Sequence, residues 1–389
     1  MKSAPWPTFS EQEIKAVSQV LASGKVNAWA GQETLHFESE FAAYCGAPHA
    51  LAVCNGSIAL DVALRASGIK PGDEIIVTPR SYFASVSSVV MAGAVPVFAD
   101  VDPDSQNLSV RHIEPCLSTK TRAILPVHLG GWPCNMPAIM QLAEASGLIV
   151  IEDCAQAHGA RIAERHVGSF GDIATFSFCQ DKIMTTGGEG GLLTFLQEHH
   201  WDAAWSLRDN GKCRKAVMQD DHPPGFRWVH DSFGSNYRMT EMQAAIGRYQ
   251  TRVIEKWLAI RAAHAAAYDQ AFRHLPGLRV VTPPADVRHA YYRYYMFLRP
   301  DALKTSWTRD RILEELRHAG VPGGVGSCPE IYREKAVVNA GYHPRKRLPN
   351  AVQLGNTSLA LMLHPTMTEY HREKTIDIVT DVIKRATRN

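Results

Sequence analysis

The sequence predicts an α/β protein: a mostly parallel sheet flanked by helices, with a smaller α+β domain at the C-terminal end. Two observations carry that prediction. Between residues 49 and 178, short apolar runs (HALAV, EIIV, VPVF, AILPV, LIVI, IATFSF) alternate with polar turns and helical segments, the rhythm of βαβ units in a parallel sheet. Beyond residue 250 the pattern changes to PGLRVVTPP, YYRYYMFLR and TRDRILEELRHAGVPGG, strands and a helix whose rhythm suits a small α+β unit. The expected division is 1–250 for the large domain, N-terminal helices included, and 251–389 for the small one. A chain of 389 residues is long enough for both.

Taken in order, each element has its own signal. Residues 10–23 place Ser10 at a cap, Glu13 three residues on and apolar residues at helical spacing, so a capped amphipathic helix ended by Gly24 is predicted. FESEFAAYCG reads as a second helix. HALAV is a strand, and Cys54-Asn55-Gly56-Ser57 is a small polar turn opening a helix with Leu60, Ala63 and Leu64 on one face. Such a turn presents backbone N–H groups and partial positive charge, which together suit a phosphate. PGDEIIVTPRSYFASVSSVVMAGAVPVFADVD gives strand, loop, helix and strand, with Asp100 and Asp102 as strand-end turn residues. The next unit supplies a strand ending at His128, whose ring is expected to be satisfied by backbone partners, and then a helix.

The chemistry concentrates between Ile151 and Leu192. Three apolar residues, Ile149 to Ile151, run into Glu152 and Asp153, so an acid stands where a buried strand ends, and open α/β sheets bind ligands there. After a segment read as helix-like, IATFSF leads to Lys182, which is followed by MTTGGEGG. A lysine partly desolvated at a strand end can form a Schiff base with a carbonyl compound. Pyridoxal phosphate (PLP) uses such a lysine, and its ring nitrogen needs an acidic partner if the ring is to act as an electron sink. Asp153 fits that need.

GGLLTF is a further strand. The polar, Trp-rich run after it, through residue 233 with HPPG (222–225) at its middle, is weakly patterned, as functional loops are. An Ala-rich helix from about Met239 through the 270s is expected to link the two domains. The net charge of +2 without a basic block gives no reason to expect nucleic acid. The N-terminus lacks an apolar signal core and no apolar stretch has membrane-spanning length, so a cytoplasmic protein is expected. Eight cysteines without CxxC pairing read as reduced thiols, and no metal is expected.

Several of these blocks resemble the DegT/DnrJ/EryC1/StrS family of PLP-dependent sugar aminotransferases, which have the aspartate aminotransferase fold (type I, built on a seven-stranded-type sheet). EDCAQAHGA is similar to the family's acid-x-x-Gln-x-His-Gly signature, and FSFCQDKIMTTGGEGG to its Ser-Phe, Lys and Gly-Glu-Gly-Gly block. PVHLGG, GSNYRMTEMQAAIGRYQ, HAYYRYYMF and SLALMLHPTMTE follow in family order. The resemblance implies that Gly56, Ser57 and Ser177 hold the cofactor phosphate, with Ser57 in place of the commoner Thr. It implies that Tyr82 stacks on the pyridine while Phe83 packs in the core, that Asp153 pairs with the ring nitrogen, and that Gln156 touches the 3-hydroxyl region. The resemblance likewise implies that Lys182 carries the cofactor and moves the proton, that Asn236 reaches across a dimer interface to the phosphate of the other subunit, and that Arg238 supports the interface or binds substrate charge. Glu189 holds its turn or helps place the sugar, His364 stabilises a turn, and the 200–233 region covers the site and selects substrate; His158 is assigned no chemistry. One departure stands out, since Ser327-Cys328 occupies a position where many members have histidine.

The function so implied is transfer of an amino group from L-glutamate to a keto-sugar nucleotide, an NDP-keto-deoxyhexose. The setting would be amino-sugar biosynthesis for surface polysaccharide such as lipopolysaccharide O-antigen, by a homodimer with shared sites. Alternatives within the family are amination of cyclitol ketones, an aminobenzoate-forming dehydration and a non-catalytic regulatory protein. A sugar-dehydratase branch carries histidine in place of the lysine, and Lys182 speaks against it.

Overall fold

Capping chemistry sets the first helices. In the computed structural model, which describes residues 5–219, 221 and 224–388, Ser10 and Glu13 form a full capping box on α1 (Glu11–Ser23), and Gly24 closes the helix at φ 68°, a left-handed conformation that glycine adopts without a Cβ clash. α2 (Glu33–Cys45) has no side-chain cap of its own. Its first amides are satisfied from far along the chain by the buried carboxylate of Glu241, which accepts from Glu33 N at 2.6 Å and Thr34 N at 3.1 Å.

The apolar runs form the strands predicted for them. β1 (His49–Val53), β2 (Glu74–Val77), β3 (Val95–Phe98), β4 (Thr121–Leu125) and β5 (Ile149–Asp153) alternate with α3 (Gly56–Ala66), α4 (Ala84–Met91), α5 (Val110–Ile113) and α6 (Met136–Ser146). The helix-like reading after β5 is corrected: the chain there makes the small strands β6 (Arg161–Ile162) and β7 (Arg165–His166), an antiparallel hairpin turning at Ala163. Gly159 and Gly168 stand at φ 75° and 89°, outside the range of a right-handed helix. β8 (Ile173–Ser177) and β9 (Gly191–Phe195) complete a seven-stranded sheet in the order β1-β9-β8-β5-β4-β2-β3. All strands run parallel except β9, which is antiparallel to both neighbours. The six parallel strands therefore end at one edge. Side-chain alternation divides the interior: Leu51, Val53, Ile151 and Leu193 pack on one face, Ala52, Phe176, Phe178 and Leu192 on the other.

Part of the run expected to be weakly patterned is in fact helical. α7 (Glu198–Arg208) buries Ala204 and Trp205 in the large core, and α8 (Arg214–Val217) follows. Of the HPPG segment, residues 222 and 223 lie outside the described residues. The long α9 (Glu241–Phe272) starts from a capping box on Thr240. The 250/251 division falls inside this helix, whose contacts pass from the large core at Leu258 to a second core at Ala265, Tyr268 and Phe272. We propose the two domains as bodies joined through α9. β10 (Leu278–Arg279), β11 (Val287–Arg288), β12 (Arg293–Leu298), α10 (Arg309–His318), β13 (Gly323–Gly324), α11 (Lys335–Asn339), α12 (Pro349–Thr357), β14 (Ser358–Met362) and α13 (Glu369–Ala386) follow. The second core is roofed by an antiparallel sheet in the order β10-β12-β14-β13. The C-terminal part still returns to the large body: β11 pairs with β6, and Ile331, Tyr332 and Val337 join the large core. Among the described residues no helix is long and apolar enough to cross a membrane, and the eight cysteines are free.

α9 approaches α2 closely. A Cβ on Gly247 would sit 2.6 Å from the Phe37 ring, which is itself locked against Phe41 and Phe178 at centroid distances of 5.8 and 5.4 Å. Gly247→Ala is therefore expected to destabilise the protein: overpacking costs about 1–3 kcal/mol, more than the ~1 kcal/mol that alanine returns in helix propensity. Urea unfolding of the variant measures the difference.

Candidate active site

Adjacent residues of a strand face opposite ways, and this separates the two acids of β5. Glu152 is buried. Its Oε1 accepts from the amides of Phe170 and Gly171 at 2.8 and 2.7 Å, and its Oε2 from the Gly168 amide and His128 Nε2, both at 3.0 Å. Burial alone would raise its pKa; the His128 ring and the loop amides outweigh burial and hold it below the ordinary glutamate value. His128 is thus satisfied only half by backbone, since Nδ1 accepts from Cys134 N at 3.0 Å while Nε2 faces the carboxylate. Ligand atoms of His128, Glu152 and Cys154 lie within 4.8 Å of one another. Each Glu152 oxygen already has two donors, and burial pushes the Cys154 thiol well above its ordinary pKa, so this cluster is built as a structural joint.

Asp153 belongs to the binding edge. Its Oδ2 accepts from Ser85 Oγ at 2.8 Å and its Oδ1 from Ala155 N at 3.1 Å, while Ser81 Oγ lies 3.0 Å from Ser85 Oγ. The loop after β2 is thereby tied to the end of β5. Tyr82, in the same loop, is 69% exposed, whereas Phe83 packs against the large core. Ser81 also makes an isolated bridge with Cys328, which puts the Ser327-Cys328 departure beside the Tyr82 loop. Gln156 is buried, and its Oε1 accepts from Gly130 N at 2.8 Å.

At the start of α3, Asn55 Oδ1 accepts from Ile58 N at 2.9 Å, which leaves the first helical amides, those of Gly56 and Ser57, facing the edge without intrahelical partners. A Cβ on Gly56 would lie 2.6 Å from Ser177 Cβ, and one on Gly191 only 2.3 Å from the Asn55 carbonyl oxygen. Three strand ends therefore close to backbone contact around one small cup. Helix-start amides and the Ser177 hydroxyl are the donors that a phosphate needs.

Lys182 lies in the loop after β8, half-buried, with Nζ 5.0 Å from the centroid of the Tyr292 ring. Beside it, the Asp181 carboxylate accepts from the Tyr292 hydroxyl and from Arg293 Nη2 at 3.1 Å. Burial opposes that charge, but Lys182, Tyr292 and Arg293 together hold the Asp181 pKa below the ordinary value. Below the loop, the His158 ring stands 5.5 Å from each of Phe176 and Phe178. Burial first, and the Lys182 charge second, push its pKa from 6.5 down to about 3, so it is a neutral packing residue.

Asp153, Gln156, Ser177, Lys182, Gly56, Ser57 and Tyr82 thus lie on or just beyond the same sheet edge. Asn236 differs. It is exposed, and its segment runs beside the end of β1, where Cys54 N donates to Tyr237 O at 2.8 Å. Arg238 is committed to the buried Asp209 carboxylate at 2.6 Å. The Glu189 carbonyl, not its exposed side chain, secures the glycine turn by accepting from Thr186 Oγ1 at 2.6 Å and Gln243 Nε2 at 2.8 Å. His364 Nδ1 lies 2.8 Å from Thr366 Oγ1 in its turn. Sequence reasoning missed Ser85, although SYFAS sets it one helical turn after Ser81. It also missed Asp181, Tyr292 and Arg293, which only the return of β12 brings together.

These features have relatives. The sequence model of the DegT/DnrJ/EryC1/StrS aminotransferase family matches residues 7–380. The chain belongs to that family. A solved aminotransferase from Psychrobacter cryohalolentis superposes on it with a TM-score of 0.97 at 48% identity, covering 99% of this chain and 100% of the other. GDP-perosamine synthase of Caulobacter vibrioides is 37% identical over 355 residues, 91% of each chain. The spore coat polysaccharide biosynthesis protein SpsC of Bacillus subtilis is 33% identical over 381 residues, 98% of this chain and 96% of that one. The mostly parallel sheet with flanking helices is the type I fold of this aminotransferase family.

The neutral His158 has a pH signature. The unfolded ring takes up a proton below about 6.5, and the folded one only near 3, so its contribution to stability is complete above pH 6.5 and is lost as pH falls toward 3. Between pH 7 and 5, His158→Phe should lose about 1–2 kcal/mol less stability than wild type. Urea unfolding at the two pH values tests this.

Proposed function

We propose that this protein transfers an amino group from L-glutamate to the carbonyl of a keto-sugar nucleotide, an NDP-keto-deoxyhexose, in the biosynthesis of amino sugars for surface polysaccharide such as lipopolysaccharide O-antigen. PLP is the cofactor, and the pocket fits it. One observation carries the reading: adjacent parallel strands deliver Asp153 and the Lys182 loop to a single edge, next to a cup of helix-start amides that only glycine permits.

When bound, PLP supplies an aldehyde for the lysine and a ring that delocalises the charge left on a substrate carbon. Gly56 N, Ser57 N and the Ser177 hydroxyl would hold its phosphate, and the α3 dipole would favour the negative charge there. Tyr82 would stack on the ring. Asp153, oriented by Ser85, would hold the proton on the ring nitrogen. Gln156, fixed by the Gly130 amide, would meet the 3-hydroxyl. Lys182 Nζ would anchor the cofactor and, as a free amine, would act as the general base toward the proton on the donor's α carbon.

The protein is proposed to be a cytoplasmic homodimer with shared sites, and Asn236 to reach the phosphate bound by the second copy. Phe226, Trp228 and Phe233 are 76%, 87% and 93% exposed, an apolar surface of the kind that partners cover, and all three lie in the 200–233 region proposed to cover the site. Relatives named for GDP-perosamine and for spore coat polysaccharide favour a sugar acceptor.

The visible absorbance of the purified protein should bleach on adding glutamate and return with a matching keto-sugar nucleotide from a panel that also contains cyclitol ketones. Borohydride should fix the cofactor to Lys182; labelling of another side chain overturns the assignment. Lys182→Ala should lower turnover by at least about 10³-fold. Gly56→Ala, which presses on Ser177, should weaken cofactor retention about tenfold in an equilibrium dialysis assay.

A further inference from the structure

The N-terminal segment reaches the lysine loop from two directions, and neither contact involves the cofactor cup. The Trp6 indole Nε1–H donates to the backbone carbonyl of Lys182 at 3.1 Å. Its ring is held edge-on by Trp257 at a centroid distance of 5.4 Å and stacked on His364 at 6.1 Å, with the Arg261 guanidinium 5.5 Å away. Arg261, buried on α9, spends its Nη1 on the carbonyls of Tyr291 and Leu363. Trp6 thus sits where α9, the turn at residue 364 and the lysine loop converge.

The second contact runs through α9. Glu13, the third residue of α1 and the partner of Ser10 in its capping box, accepts from Gln250 Nε2 at 2.8 Å, and Gln250 Oε1 accepts from Thr185 N at 2.8 Å. Thr185 Oγ1 then donates to Phe178 O at 2.9 Å and accepts from Gly188 N at 3.2 Å. Glu13, Gln250 and Thr185 are all buried, where a lost partner leaves an unsatisfied polar group. Residues 182 and 185 are therefore both fixed to the same N-terminal segment, one directly and one through a relay.

A flexible four-carbon side chain reacts well only from a fixed base, because small displacements of a reacting group are costly in rate. The Trp6 bond acts on the Lys182 backbone and does not involve Nζ. We propose that Trp6 is a positioning residue for Lys182, the donor that fixes the backbone from which the amine projects, with the Glu13–Gln250–Thr185 relay as the second grip of the same clamp. The proposal rests on Lys182 being the reactive amine.

Trp6→Phe keeps the ring and removes only the donor. In the apoprotein, hydrogen exchange of the peptide spanning 179–188 should rise about fivefold, the effect of one lost hydrogen bond, while β4 exchanges as in wild type. Condensation of the apoprotein with PLP, followed by absorbance, should slow by a similar factor. Exchange unchanged in 179–188, or raised equally in β4, overturns the clamp. Borohydride labelling of a residue other than Lys182 in wild type overturns the assignment of the lysine instead, and the exchange measurement still decides whether Trp6 holds the loop.

Discussion

One buried carboxylate organises the binding edge. Glu152 is fully buried in the sheet, so its charge is stable there only because three loop amides and the His128 ring point at it. Those four donors come from two stretches of chain, the loop after β4 and the turn before β8. By collecting them, Glu152 ties the exit of β4 to the entry of β8, the strands on either side of β5. The next residue faces the other way, so the same few atoms that anchor the core also aim Asp153 into the site. Glu152 contributes geometry, and Asp153 is left for the role proposed for it at the cofactor.

The rest of the edge is assembled by close approach. Gly56 and Gly191 let β1, β8 and β9 come within backbone contact, and no larger residue would allow the cup to close. The small body then reaches in. Arg80, fully buried in the loop that carries Tyr82, donates to Gln106 Oε1 at 2.9 Å and to Ser358 Oγ of β14 at 2.9 Å. Tyr292 and Arg293, from the start of β12, flank the lysine. The proposed site residues thus lie on the edge of the seven-stranded sheet, while part of their surroundings comes from the C-terminal strands.

Much of this could be read along the chain because it depends on local rules. The capping boxes on Ser10 and Thr240, the apolar strands and the glycine turns are each specified by residues a few positions apart. The acid, the lysine and the polar turn at residues 54–57 could be paired through the parallel-sheet rule, which brings strand ends to one edge. The failures have physical causes too. The segment after Asp153 lacks a strong periodic signal, and glycines with positive φ decided for a hairpin. The polar run after β9 concealed α7, because Ala204 and Trp205 are anchored by tertiary packing rather than by an unbroken apolar stripe.

By itself the sequence determined the parallel α/β architecture and the pairing of an acid with a lysine at strand ends, which follow from short-range patterns and the common edge of parallel strands; the family and the other residues expected to hold the cofactor came from the resemblance of its motif blocks. Only the tertiary structure decided that Ser85 orients Asp153, that Glu152 binds a loop rather than a ligand, and that Trp6 and β12 surround Lys182. Each of those contacts joins residues distant in sequence. Their hydrogen-bond geometry exists only once the sheet, α9 and the small body have packed together.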